Sequence, residues 1–143
     1  MSSTDAKLII RNAELRDVPE IVAMSHRVYS KKLGYTAPQV RGQINNFHEG
    51  AFVAEFEGAV VGYCATTIVK ESVAMRPHTW DEITGGGYGS RHDPDGDILY
   101  GTEVSVHPDY RRLRIGQRLY RARRDLCERL ELKGIVFGGR MPG

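Results

Sequence analysis

The stretch Val104–Leu130, VSVHPDYRRLRIGQRLYRARRDLCERL, decides how the rest of the chain is read. Its first residues close a run rich in β-branched and aromatic side chains, Ile98–Val106, which predicts a strand. Pro108 has no amide hydrogen for a sheet ladder, so the strand stops at the turn His107-Pro108-Asp109. A basic loop follows. From Ile115, apolar residues recur at Leu119, Ala122, Leu126 and Leu130, the spacing of one helical face packed on a core. Gly116 falls in the first turn of that helix, where the lack of a side chain lets a ligand approach the backbone. The first amides of a helix have no internal acceptor and carry the positive end of its dipole, so loop and helix start together favour an anion. Arg111, Arg112 and Arg114 add charge around that point.

The run Tyr110-Arg111-Arg112-Leu113-Arg114-Ile115-Gly116, after Val104-Ser105-Val106-His107-Pro108, resembles the signature of the GNAT superfamily of acetyl-CoA-dependent N-acetyltransferases. That loop reads Gln or Arg, two residues, Gly, one residue, then Gly or Ala. Arg111 fills the first position and Gly116 the last, Arg114 replaces the middle glycine, and Arg112 stands where family loops often carry another. The resemblance implies a loop whose amides hold the coenzyme A pyrophosphate, with Arg111, Arg112, Leu113, Arg114, Ile115, Gly116 and Gln117 as its cofactor-binding residues. It also implies a preceding strand, Val104, Ser105 and Val106, that receives pantetheine and the acetyl carbonyl. A side chain at position 114 must turn away from the phosphates or restrict φ, and it also brings a guanidinium that can reach them.

The resemblance covers the order of elements from Leu8 to Phe137. It implies an α/β fold of the GNAT type, a mixed and mainly antiparallel sheet flanked by helices. The segment from His78 to Gly143 looks like a subgroup whose members carry this domain in front of a nitrilase-like carbon–nitrogen hydrolase domain. A complete GNAT domain continues after Phe137 with a further helix and strands. The chain is therefore expected to be a single domain, residues 1–143, that lacks its C-terminal elements, or whose last strand edge another chain covers, for instance in a homo-oligomer.

Bulk properties agree with one globular domain. The chain has 143 residues, 41% hydrophobic and 27% charged, enough for a real core. No apolar run approaches the roughly 20 residues that span a bilayer, and MSSTDAK lacks the apolar core of a signal peptide. Cys64 and Cys127 have no metal or redox spacing and fit a reducing cytoplasm. A net charge of +2 does not by itself call for a nucleic acid.

Working outward, Lys7–Ala13 predicts the first strand. Asp17 is the expected N-cap of a helix with Pro19 in its first turn, Glu20 three residues on, a stripe Ile21, Met24, Val28 and Leu33, and a stop at Gly34. Thr36 caps a second helix to about Phe47. In GNAT domains this helical pair covers the acceptor side, which makes Tyr29, Tyr35 and His48 candidate lining residues. Ala51–Phe56 and Val60–Val69 around Glu57-Gly58 predict a hairpin. Glu71–Asp97 is long for a connection, with a short helix near Thr79–Ile83 and a flexible loop at Gly85–Gly89. His92–Asp97 begins like a calcium loop, but Ile98 and Val104 occupy its required Gly and Glu positions, so it reads as a turn and no metal is expected. Lys133-Gly134 should end the long helix before a strand at Ile135–Phe137.

Acetyl transfer to an amine needs a neutral nucleophile, a polarised carbonyl and a positioned base. Glu103 is the best candidate base and Tyr100 the second. The alternatives are an outward strand carboxylate paired with an arginine for Glu103, and core packing for Tyr100. Two other functions compete. Seven arginines between Arg111 and Arg124 could track a nucleic-acid backbone, although Asp125, Glu128 and Glu131 can pair with them and no nucleic-acid motif accompanies them. The domain could also bind acetyl-CoA without turnover, as a regulatory module beside a hydrolase. The acceptor amine is not legible in the sequence.

Overall fold

A computed structural model of the chain describes residues 7–28 and 34–137. Five strands lie in sequence order: β1 (Leu8–Asn12), β2 (Phe52–Phe56), β3 (Ala59–Val69), β4 (Ile98–Val106) and β5 (Gly134–Phe137). The first four are antiparallel and β5 joins β4 in parallel. This is the mixed, mainly antiparallel sheet that the resemblance implies. Tyr29 and Leu33 fall outside the described residues.

Helices α1 (Val18–Val28) and α2 (Ala37–Asn46) pack on one face of the sheet. Two short helices of the β3–β4 connection, α3 (Glu71–Met75) and α4 (Trp80–Thr84), extend the same layer. Helix α5 (Ile115–Arg129) covers the opposite face alone. Its Ile115, Leu119 and Leu126 are fully buried, each removing enough apolar area from water to contribute about 2 kcal/mol. Ala122 and Leu130 are half-buried at the margins of that stripe. The helix stops at Leu130, where Glu131 turns left-handed with φ +56°. That is earlier than the expected stop at Lys133-Gly134, because the amide of Leu132 closes back on the Cys127 carbonyl at 3.0 Å.

The N-terminal cap differs from expectation. Glu14, not Asp17, opens the first helical turn, a short 3-10 segment Leu15–Asp17 running into α1. Asp17 accepts the Glu14 amide at 2.8 Å and both nitrogens of the Arg11 guanidinium at 2.8 and 2.9 Å. Arg11 also reaches Glu55 at 2.9 Å. Burial pushes the Asp17 carboxyl up, but Arg11 and the Glu14 amide outweigh it and hold the group below its usual range. The folded state thus binds this proton less readily than the unfolded chain. The stabilisation is present above the unfolded carboxyl pKa and is lost as pH falls through the lower folded value. Asp17→Ala should cost about 2 kcal/mol at pH 7 by removing its charged hydrogen bonds to the Arg11 guanidinium and the Glu14 amide, although Arg11 keeps Glu55. Urea melts should show the gap to wild type narrowing below about pH 4.

The Gly85–Gly89 run is not a flexible loop. It closes α4 through left-handed Gly85 (φ +64°) and docks on α2. Gln39, Gln43 and Asn46 donate side-chain amides to the carbonyls of Gly86, Gly87 and Tyr88 at 2.9, 2.7 and 3.0 Å. A Cβ at Gly87 would lie 2.7 Å from both the Gln39 amide and the Trp80 ring, so close packing selects glycine here. His92 is a turn residue as expected, its Nδ1 accepting the Ile68 amide at 3.0 Å. No group of metal-binding side chains occurs among the described residues.

Candidate active site

β4 carries the site because of one irregularity. Its pairing with β3 runs Thr66↔Gly101 and then Ala65↔Glu103, so Thr102 is an extra, bulged residue. Two hydrogen bonds fix it. Its hydroxyl donates to the Ala65 carbonyl at 3.0 Å, and its own carbonyl accepts the Trp80 indole N–H at 3.0 Å. Strand alternation would otherwise place Tyr100 and Glu103 on opposite faces. The bulge puts Tyr100, Glu103 and Ser105 together on the α1–α4 face, and Val104 and Val106 on the α5 face. Among the described residues the β4–β5 ladder runs to Gly101↔Phe137, next to the bulge.

Glu103 is 3% exposed. It is a buried carboxylate beneath the helical layer, not the outward surface group that the sequence also allowed. Its charge is felt by the neighbouring Tyr63, whose phenol is pushed well up first by burial and then by Cys64 and Glu103. Tyr63 stays protonated and donates to Gln43 at 2.6 Å. Ser105 Oγ lies 2.7 Å from the Tyr35 hydroxyl in the same buried layer. Tyr35 thus lies under the strand, whereas the His48 side chain is exposed, 3.2 Å from Glu14. Tyr100 is buried, with its hydroxyl 3.2 Å from His78 Nε2. His107 caps the turn after β4 by accepting the Asp109 amide at 3.2 Å.

On the other side, residues 108–113 form a 3-10 segment, and Arg114 links it to α5 in a left-handed conformation, φ +56° and ψ +38°. The position that is glycine in the family's loop keeps a glycine-like backbone with a side chain attached. Such a conformation costs about 1 kcal/mol in a non-glycine residue. Arg114→Gly should therefore raise the melting temperature by up to about 4 °C, read by calorimetry. An unchanged or lower value would mean that the arginine side chain repays the strain.

The first bond within α5 runs from the Arg118 amide to the Arg114 carbonyl at 3.2 Å. The amides of Ile115, Gly116 and Gln117 precede it, so helix geometry gives them no internal acceptor. A Cβ placed on Gly116 meets no atom within 4 Å. An open groove of about 380 Å³ begins there, lined by Gly116, Gln117, Tyr120, Arg121 and Arg124. Gly116 and Gln117 are the expected residues. Tyr120, Arg121 and Arg124 are additions, legible in hindsight as positions four, five and eight along the helix from Gly116. Ile115 is a core side chain that offers only its amide, Leu113 is half-buried, and the Arg112 guanidinium turns back to the Asp109 carbonyl at 3.0 Å.

The arginine cluster does not form one basic track. Arg118 donates to the Leu8 carbonyl at 3.3 Å, and Arg123 is buried over the Phe137 ring at 4.7 Å. Arg111, Arg112, Arg114, Arg121 and Arg124 are exposed. No ion pair joins Asp125, Glu128 or Glu131 to these arginines among the described residues.

A helix start flanked by arginines follows the bulged strand β4, an arrangement that favours an anion at the first turn of the helix. Residues 15–140 match the Acetyltransferase (GNAT) family, and the chain belongs to that family. Over 138 residues it is 41% identical to the probable hydrolase YhcX of Bacillus subtilis, covering 96% of this chain and 27% of that protein. It is 30% identical over 139 residues to the uncharacterized N-acetyltransferase YkwB of the same organism, covering 94% of this chain and 62% of the relative. The chain thus spans about a quarter and about three-fifths of these relatives. A GNAT family acetyltransferase from Brucella melitensis, solved in complex with acetyl-CoA, shares the fold with a TM-score of 0.60 at 19% identity, over 94% of this chain and 77% of that one. No helix among the described residues is long and apolar enough to cross a membrane.

Proposed function

We propose that this domain transfers an acetyl group from acetyl-CoA to an amine. The observation that carries this reading is the open groove at the start of α5, lined by Gly116 and Gln117 and flanked by Arg121 and Arg124. These groups suit a pyrophosphate and a further phosphate. The side chain of Glu103 lies on the other face of the same strand, buried under the helical layer. Val104–Val106 is the strand segment against which the thioester rests, where a backbone amide can polarise its carbonyl.

The chemistry balances with these groups. An ammonium acceptor first loses a proton, which Glu103 takes directly or through water. The neutral nitrogen then bonds to the acetyl carbon while the carbon–sulfur bond breaks. The sulfur leaves as thiolate and takes up a proton, giving the N-acetylated amine and free coenzyme A. Positioning supplies much of the rate once the amine and the thioester carbon are held within reach of each other. The buried, free Cys64 and Cys127 suit a reducing cytoplasm.

A thiol-release assay with acetyl-CoA and a panel of amines tests the reading. Amine-dependent release with an N-acetylated product is expected. A second reading, acetyl-CoA binding without turnover in a module fused to a carbon–nitrogen hydrolase, is supported by the likeness to a much longer probable hydrolase. It predicts saturable binding and no amine-dependent release.

A further inference from the structure

We propose that the acceptor pocket is the cavity behind His78, and that its occupant is a small amine carrying a carboxylate or phosphate. This rests on the acetyltransferase reading and adds the substrate class. The cavity measures about 300 Å³ and opens on the α3–α4 side of the sheet, the face that carries Tyr100 and Glu103. The end of β3, α3, the Arg76–His78 connection and α4 enclose it, with Arg91 and Asp93 on the remaining side. The groove above Gly116 lies along α5, which packs on the opposite face. Two ligands can thus approach β4 from opposite sides.

The charges select the ligand. Lys70, Arg76 and Arg91 line the cavity, and none of them makes an ion pair or a side-chain hydrogen bond among the described residues. The two lining carboxylates already serve local caps. Glu82 accepts the Thr79 amide at 2.8 Å and Asp93 accepts the Asp95 amide at 3.0 Å. Three cations converging on a concave, partly apolar wall focus a positive potential that an anionic group answers. A volume of this size holds about ten waters at ~30 Å³ each, which fits a compact metabolite rather than a folded protein segment.

One wall leads toward the chemistry. His78 Nδ1 lies 2.8 Å from the Arg76 carbonyl. A carbonyl only accepts, so Nδ1 carries a hydrogen, and the other ring nitrogen, Nε2, lies within hydrogen-bond distance of the Tyr100 hydroxyl at 3.2 Å. Burial raises the Tyr100 phenol, which keeps it a donor. His78 lines the cavity and touches the Tyr100 hydroxyl, and the Thr102 bulge puts Tyr100 and Glu103 on one face, so the cavity and Glu103 lie on the same side of β4.

The test uses the full-length protein and four probe amines: aspartate, O-phosphoethanolamine, putrescine and butylamine. Thiol release should be at least ten-fold more efficient with one or both anionic amines than with putrescine or butylamine. The variant Arg76→Ser/Arg91→Ser, which removes only exposed side chains, should lower that efficiency at least ten-fold through KM and leave acetyl-CoA affinity unchanged. Preference for putrescine or butylamine, or an unaltered KM in the variant, overturns the proposal. Calorimetry separates the two levels of the argument. If acetyl-CoA binds and neither anionic amine does, the pocket assignment falls and the cofactor reading stands. If an anionic amine binds in an Arg76- and Arg91-dependent manner and is never acetylated, the pocket stands and the transferase reading falls.

Discussion

Replacing Gly116 by tryptophan should abolish acetyl-CoA binding while leaving the domain folded. A Cβ at this position starts in open space, clear of all but its chain neighbours and its own helix, on a residue that lines the groove. Glycine inside a helix costs about 1 kcal/mol relative to alanine, and most replacements recover part of that. Stability should therefore hold or rise slightly as affinity collapses by at least a hundred-fold. These opposite directions distinguish a ligand contact from a structural glycine. A melting temperature that drops along with affinity would show that Gly116 is needed for packing, and unchanged affinity would remove the groove from the cofactor path.

Glu103→Gln should lower kcat by 10²-fold or more, in the range that general-base catalysis contributes, with acetyl-CoA affinity retained. The substitution keeps the size of a side chain that is 3% exposed in a packed layer, so the fold should survive it. The effect should fall on kcat, because the base acts on the amine as it attacks and adds little to ground-state binding. A loss confined to KM would make Glu103 an acceptor-orienting group. A variant with wild-type kcat would move the base elsewhere, and Tyr100 with its partner His78 would be the next pair to replace.

Much of this architecture is legible in the sequence, for identifiable reasons. Helix α5 announces itself through Ile115, Leu119 and Leu126, because a helix covering one sheet face alone must show a clean apolar stripe. Thr36 caps its helix as its residue type suggests, with a reciprocal bond from Gln39. The errors arise where long-range partners decide. Asp17 looks like a cap until Arg11, on β1, claims its carboxylate. The glycine run looks loose until Gln39, Gln43 and Asn46, spaced along one face of α2, hold its carbonyls. The face on which Glu103 lies depends on the bulge at Thr102, which strand alternation does not foresee. The cavity behind His78 is illegible for the same reason: its cations come from separate segments of a connection whose path only the fold determines.

The most direct test of the central claim is a calorimetric titration of the folded protein with acetyl-CoA, run beside a short single-stranded oligonucleotide. The account predicts saturable one-site binding of acetyl-CoA that Gly116→Trp removes, and no comparable binding of the oligonucleotide. Acetyl-CoA binding that survives Gly116→Trp, or an oligonucleotide that binds in its place, would contradict it.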